Sequence, residues 1–127
     1  MGTVAVIGTF DSKGEEFRYL IEQIQKAGAR VLSIDIGTKG PAMFPPDITA
    51  EAVARVAGED LAELRKTNDP ARCMQAEAAG LPVLVKELQE TGRIQAVIAM
   101  GGGQGSSVLR RAFAVLPAGF PKVLVTT

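Results

Sequence analysis

Residues 101–107 read Gly-Gly-Gly-Gln-Gly-Ser-Ser, directly after the apolar run Ile98-Ala99-Met100. The glycines at Gly101, Gly102, Gly103 and Gly105 lead into Ser106, Ser107 and a run of helical spacing from Val108 to Leu116. A strand, a glycine loop and a helix in this order can bare backbone N–H groups at a helix N-terminus. That arrangement suits an anion, most often a phosphate. Glycine serves it by tolerating positive φ and by keeping no side chain between ligand and backbone. The segment is not a Walker A loop, because no Gly-Lys-Ser/Thr closes it. Nor is it the dinucleotide fingerprint, since only Gly8 and Gly14 follow the first apolar run. Without a ligand the same residues would form a flexible turn, although three consecutive glycines weaken a fold without helping its packing.

A second cluster, Thr9-Phe10-Asp11-Ser12-Lys13-Gly14, follows the first apolar run. Lys13 suits phosphate oxygens, Asp11 suits magnesium or a ribose hydroxyl, and Thr9 can bond a phosphate. The plainer alternative has Asp11 and Ser12 capping the next helix and Lys13 solvated. Ser12 and Glu15 have the spacing of a capping box, which is the preferred reading for Ser12. Asp35 lies near the carboxyl end of another apolar run. It either bonds a ribose hydroxyl, as acids there do in nucleotide-binding sheets, or forms a turn before Gly37. Arg72, Arg110 and Arg111 fit a solvated helix face, or an interface.

The elements that must position these residues follow from hydrophobic spacing. Thr3–Gly8 is a valine- and isoleucine-rich run too short for a helix, as expected of a strand buried on both faces. Phe17, Leu20, Ile21, Ile24 and Ala27 recur at helical spacing, and Gly28 stops that helix. Arg30–Ile36 is a second strand and Gly37–Pro46 a loop. Short helices are expected from Thr49 to Val56 and over Glu59–Lys66. Asp69 and Pro70 open a longer helix. It runs to about Thr91, with a kink or break expected at Pro82. Ala96–Met100 is a third strand, Ser106 to Val115 a helix, and Lys122–Thr126 a fourth strand. Alternating strands and helices predict an α/β fold, a Rossmann-like three-layer sandwich on a parallel sheet. The long connection between strands two and three lets strand three pair beside strand one, giving order 2-1-3-4. The switch point then lies between strands one and three, where both polar loops emerge, and ligands bind at such points.

Composition bounds the function. The 127 residues suit one domain. A formal net charge of zero, with no Trp and one Tyr, argues against a nucleic-acid partner. No run spans a bilayer and the N-terminus lacks signal-peptide features, so a cytoplasmic location and no membrane partner are expected. A single cysteine, Cys73, excludes an internal disulfide and fits a buried structural thiol. With no histidine, histidine-based triads are excluded and zinc is disfavoured; any metal would be a hard ion such as magnesium, with Asp11 as its ligand. An apolar last strand at a sheet edge invites pairing, pointing to a homo-oligomer or a C-terminal second domain of a longer protein.

Two segments together carry a resemblance. Val6-Ile7-Gly8-Thr9-Phe10-Asp11-Ser12-Lys13-Gly14-Glu15-Glu16 is one, and Ala99-Met100-Gly101-Gly102-Gly103-Gln104-Gly105-Ser106-Ser107 with Leu116–Thr127 is the other. They resemble the signatures of the family typified by the tomato inhibitor of tomato mosaic virus RNA replication. The resemblance implies an ATP-binding domain of Rossmann-like architecture, usually the N-terminal part of a longer protein. Carried over by position, nucleotide contacts would fall on Thr9, Asp11, Ser12, Lys13, Gly102, Gly103, Gln104, Gly105, Ser106 and Ser107. Gly103 and Gln104 stand where Ser and Gly are common, and Ser107 replaces Thr.

The expected function is therefore nucleotide binding, with ATP and magnesium as ligands. Phosphates would lie on the glycine loop at 101–107 and the loop at 9–14. No catalytic base is evident, so hydrolysis would be absent or slow in this domain alone. Two alternatives stand beside it. One is part of an enzyme acting on a phosphorylated or carboxylated small molecule, complete only with a second domain. The other is a protein-interaction domain with a vestigial site.

Overall fold

The structure, a computed structural model, describes residues 2–102 and 104–126. Its elements are β1 (Thr3–Gly8), α1 (Gly14–Lys26), β2 (Arg30–Asp35), α2 (Ala50–Val56), α3 (Leu61–Lys66), α4 (Pro70–Glu90), β3 (Ala96–Gly101), α5 (Gln104–Ala114) and β4 (Lys122–Thr126). The four strands form one sheet in the order β2-β1-β3-β4. All three pairings are parallel, so the fold is a Rossmann-like α/β sheet. Gly8 pairs with Asp35, and Ile7 with Ala99, which sets the carboxyl ends of β1, β2 and β3 side by side.

Side-chain alternation along β1 assigns the layers. Val4 and Val6 pack with Phe17, Leu20, Ile21 and Ile24 of α1. Ala5 and Ile7 join Val97 and Ala99 of β3 against Leu81, Val85 and Leu88 of α4 and Leu109 and Ala112 of α5. A smaller cluster, including Ala54, Leu61, Leu64 and Cys73, fastens α2 and α3 to the start of α4. Cys73 is buried and unpaired there, and burial pushes its thiol pKa up, as suits a structural cysteine. On β4, Leu124 packs on the core while Val123 and Val125 remain exposed.

Two local expectations need correction. The capping box at Ser12 and Glu15 does not form. Lys13 is the N-cap of α1 and its side chain makes no cap bond. The Lys13 amide instead donates to the Thr9 carbonyl at 3.0 Å, so the chain is already coiling before the helix begins. Ser12 is left one residue too early to cap, and its hydroxyl donates to Thr9 Oγ1 at 3.0 Å. Nor does the chain break at Pro82: α4 runs as one helix through it. Leu81 and Val85, both fully buried, anchor the helix on either side of the proline, so tertiary packing overrides its local preference. The other caps are as expected, with Thr49 accepting from the Ala52 amide and Asp69 from those of Ala71 and Arg72.

At Gly80 the backbones of α2 and α4 come close together. A Cβ added there would lie 2.0 Å from the Val53 carbonyl oxygen, a backbone atom that cannot swing aside. Replacing a helical glycine by alanine ordinarily stabilises by about 1 kcal/mol. At this position Gly80→Ala is expected to destabilise by about 1–3 kcal/mol, the usual penalty for overpacking. Urea denaturation reads the difference, and a stabilised variant would show that α2 does not press on α4.

Candidate functional site

The loops after β1, β2 and β3 meet at the carboxyl edge. Asp35, almost fully buried, joins the first two: its Oδ1 accepts from the Phe10 amide at 3.0 Å and from the Gly37 amide at 2.8 Å. Beside it the Ile36 amide donates to the Gly8 carbonyl at 2.8 Å. Asp11 adds a tie, its Oδ2 accepting from the Lys39 amide at 2.9 Å. Asp11 lies so close to Gly37 that a Cβ there would be 2.5 Å from Oδ1 and would push the carboxylate aside.

These ties frame a cavity of about 460 Å³. Thr9, Asp11, Ser12 and Lys13 line it from the first loop, and Ile36, Thr38 and Lys39 from the second. Met100 and Gly101 at the end of β3 and Gly102 after it close the cavity, with Met74 of α4 and Leu109 of α5 as its apolar wall. Six sequence-predicted residues thus come together: Thr9, Asp11, Ser12, Lys13, Gly101 and Gly102. Gln104 and Gly105 open α5, and Ser106 lies in its first turn. Ser107 lines a neighbouring groove. Gly103 lies outside the described residues. Asp35 does not line the cavity. Its Oδ1 makes the turn contact expected before Gly37 and is engaged by two buried amides.

Two residues were missed by the sequence reading. Lys39 follows β2 by four positions, and the switch-point rule that singled out the first loop applies equally to the second. Neither Lys13 nor Lys39 has an ion-pair partner among the described residues. Glu77 is the other. It is 1% exposed, and neither of its carboxyl oxygens has a hydrogen-bond partner among the described residues. Its signal was periodicity: Cys73, Glu77 and Leu81 share one face of α4, and the first and last are apolar core.

Glu77 sits in an acidic interior. Burial pushes its pKa up to about 10, reinforced by Asp35, with smaller contributions from Asp11 and Glu51; Arg65 opposes them. Asp35 is raised too, by burial first, against the lowering effect of its two amide donors. Arg65 is itself committed. It pairs with Glu51 at 2.6 Å and donates to the Gly37 carbonyl at 3.5 Å. Burial alone would raise the Glu51 carboxyl, but its own backbone amide and Arg65 bring it below the ordinary value. Glu77 therefore carries a proton at neutral pH. Magnesium finds one carboxylate on the cavity wall, Asp11. No group of three or more acidic, cysteine or histidine ligands exists among the described residues. Such an ion would need phosphate oxygens and water to complete its shell, as Mg²⁺ usually does.

Comparison with known proteins places the chain. Residues 2–127 match the N-terminal domain of the uncharacterised protein family UPF0261. The chain belongs to that family. A UPF0261 protein of Clostridium tetani is 36% identical over 124 residues, covering 98% of this chain and 31% of the relative. A UPF0261 protein of Rhizobium meliloti is 35% identical over 127 residues, covering 100% and 31%. One from Mesorhizobium japonicum is 34% identical over 129 residues, again with 31% of the relative covered. The chain thus spans about a third of the length of these relatives. These matches overturn the resemblance to the ATP-binding family typified by the tomato inhibitor, because family model and relatives alike are UPF0261 and none carries that link. The error lay in the motifs. Strand, glycine loop and helix recur wherever a parallel sheet opens at its switch point, so they mark an architecture before they mark a family. No described helix is long and apolar enough to cross a membrane.

The Glu77 proton gives a test. Between the ordinary carboxyl value of 4.5 and about 10, the unfolded chain has released a proton that the folded chain keeps. The folded pKa is the higher one, so stability falls as pH rises through that window. Glu77→Gln retains the shape and cannot ionise. It is expected to raise stability at pH 8 by about 2 kcal/mol or more, given the shifts typical of buried carboxyls, and to flatten the slope. Equal stability and an unchanged slope in urea titrations from pH 5 to about pH 9 would show that Glu77 is ionised and partnered.

Proposed function

We propose that this domain binds a nucleotide, ATP in the first place, with its phosphates in the carboxyl-edge cavity. The observation that carries this reading is the pair Lys13 and Lys39. Two lysines without ion-pair partners among the described residues line a cavity with one aspartate, beside the start of α5. A polyanion supplies the charge such a wall lacks. The α5 N-terminus adds backbone amides and a favourable dipole for the same ligand. Thr9 and Ser12 offer hydroxyls, and Asp11 would share a magnesium ion with the phosphates. In this reading Gly102–Ser107 supply the amide cradle. The exposed Val123 and Val125 on β4 support self-association through that edge.

A second reading is favoured by the length of the relatives. A domain spanning about a third of them leaves room for another that completes an enzyme acting on a phosphorylated or carboxylated small molecule. The lysines would then bind the anionic group of that substrate.

Calorimetric titration of the full-length protein with ATP and magnesium separates these outcomes. Lys13→Ala and Lys39→Ala are each expected to weaken ATP binding about tenfold, the loss of one charge-assisted contact. Raising salt should narrow the difference. An ATP affinity unchanged in the double variant would overturn the assignment.

A further inference from the structure

A second groove, of about 360 Å³, lies beside the first and shares Met74 with it. Its α4 wall is Ala71, Met74, Gln75 and Ala78, and its α5 wall is Ser107, Val108 and Arg111. The α4 residues are spaced i, i+3, i+4, i+7, so they form one stripe along the helix. Leu109 lines the first cavity while Ser107 and Val108 line the second, so the two hollows flank the first turns of α5. A ligand with phosphates at Lys13 and Lys39 would pass over Met74 to reach the groove.

We propose that this groove is the nucleobase subsite, and that it favours adenine. The inference rests on the nucleotide reading above and names the part of the ligand that the phosphate cavity leaves unplaced. The wall chemistry fits a flat ring with a polar edge. Met74, Ala71, Ala78 and Val108 offer apolar surface, and a thioether sits well against an aromatic ring. Arg111 has no ion-pair partner among the described residues, and its planar guanidinium can stack on a base. Gln75, exposed on the rim, carries one donor group and one acceptor on the same amide. That is the pairing by which an amide side chain reads the adenine edge. No carboxylate lines the groove to accept the N–H donors of guanine.

The test compares three probes on the full-length protein by calorimetry: ATP, GTP and inorganic triphosphate, each with magnesium. The wild-type protein is expected to bind ATP at least tenfold more tightly than triphosphate, and more tightly than GTP. Ala71→Trp fills the groove from an exposed position in the first turn of α4. It should bring ATP affinity down to that of triphosphate while leaving triphosphate affinity within twofold. Gln75→Ala, a milder change at another exposed position, should remove the preference for ATP over GTP. Triphosphate bound as tightly as ATP by the wild type would overturn the subsite and leave the phosphate site standing. So would an ATP affinity indifferent to both variants. Failure of wild-type protein to bind either ATP or triphosphate would overturn the nucleotide reading itself, and this subsite with it.

Discussion

One buried carboxylate holds the functional edge of the sheet together. Asp35 is in register with Gly8, and its Oδ1 accepts from amides in the loops that follow β1 and β2. Two buried amides would otherwise go unpaired, at about 1–3 kcal/mol each. The bond to the Phe10 amide also fixes where that ring goes. Phe10 packs inward against Phe17 and Phe44, with ring centroids 4.9 and 4.7 Å away. With Phe10 inside, the next three residues, Asp11, Ser12 and Lys13, stand on the cavity wall. The contact between Asp11 and Gly37, and the position of Lys39, depend on the same anchor.

The neighbourhood of that anchor has a consequence for chemistry. Asp35 and Glu51 both bear on Glu77, and the arginine that opposes them, Arg65, already holds Glu51 and a backbone carbonyl. A second ionised carboxylate could not be buried beside Asp35 without a cation of its own. Glu77 therefore stays neutral. It can give up a proton but cannot take one at neutral pH, so it is no general base.

Most of the fold was legible because it rests on local patterns. Thr3–Gly8 and Lys122–Thr126 are dense in β-branched residues, Arg30–Asp35 carries a short apolar run, and the caps at Thr49 and Asp69 are read from side chains alone. The strand order came from the length of one connection. What was not legible depends on contacts between distant segments. Pro82 reads as a kink or a break, and the continuity of α4 through it becomes clear only when Leu81 and Val85 are seen in the core. Asp35 reads equally as ribose ligand or turn former until the Phe10 amide, twenty-five residues away, arrives at its oxygen. Lys39 lay inside a loop whose Gly and Pro content drew attention from its charge. Glu77 looked like one polar residue in a long amphipathic helix, because its partners in energy, Asp35 and Arg65, belong to other elements.

The way carboxylates are used at this edge decides what a ligand meets. Asp35 serves the amides of Phe10 and Gly37, Asp11 that of Lys39, and Asp47 that of Ser33. Acids that bind backbone amides shape loops without neutralising side-chain cations. Glu51 takes Arg65, and Glu77 keeps its proton. Lys13 and Lys39 are consequently left at the cavity with no carboxylate in ion-pair range among the described residues. The loops are thus fixed before any ligand arrives, and binding an anion would require little further ordering of the backbone. That suits the anion binding proposed above.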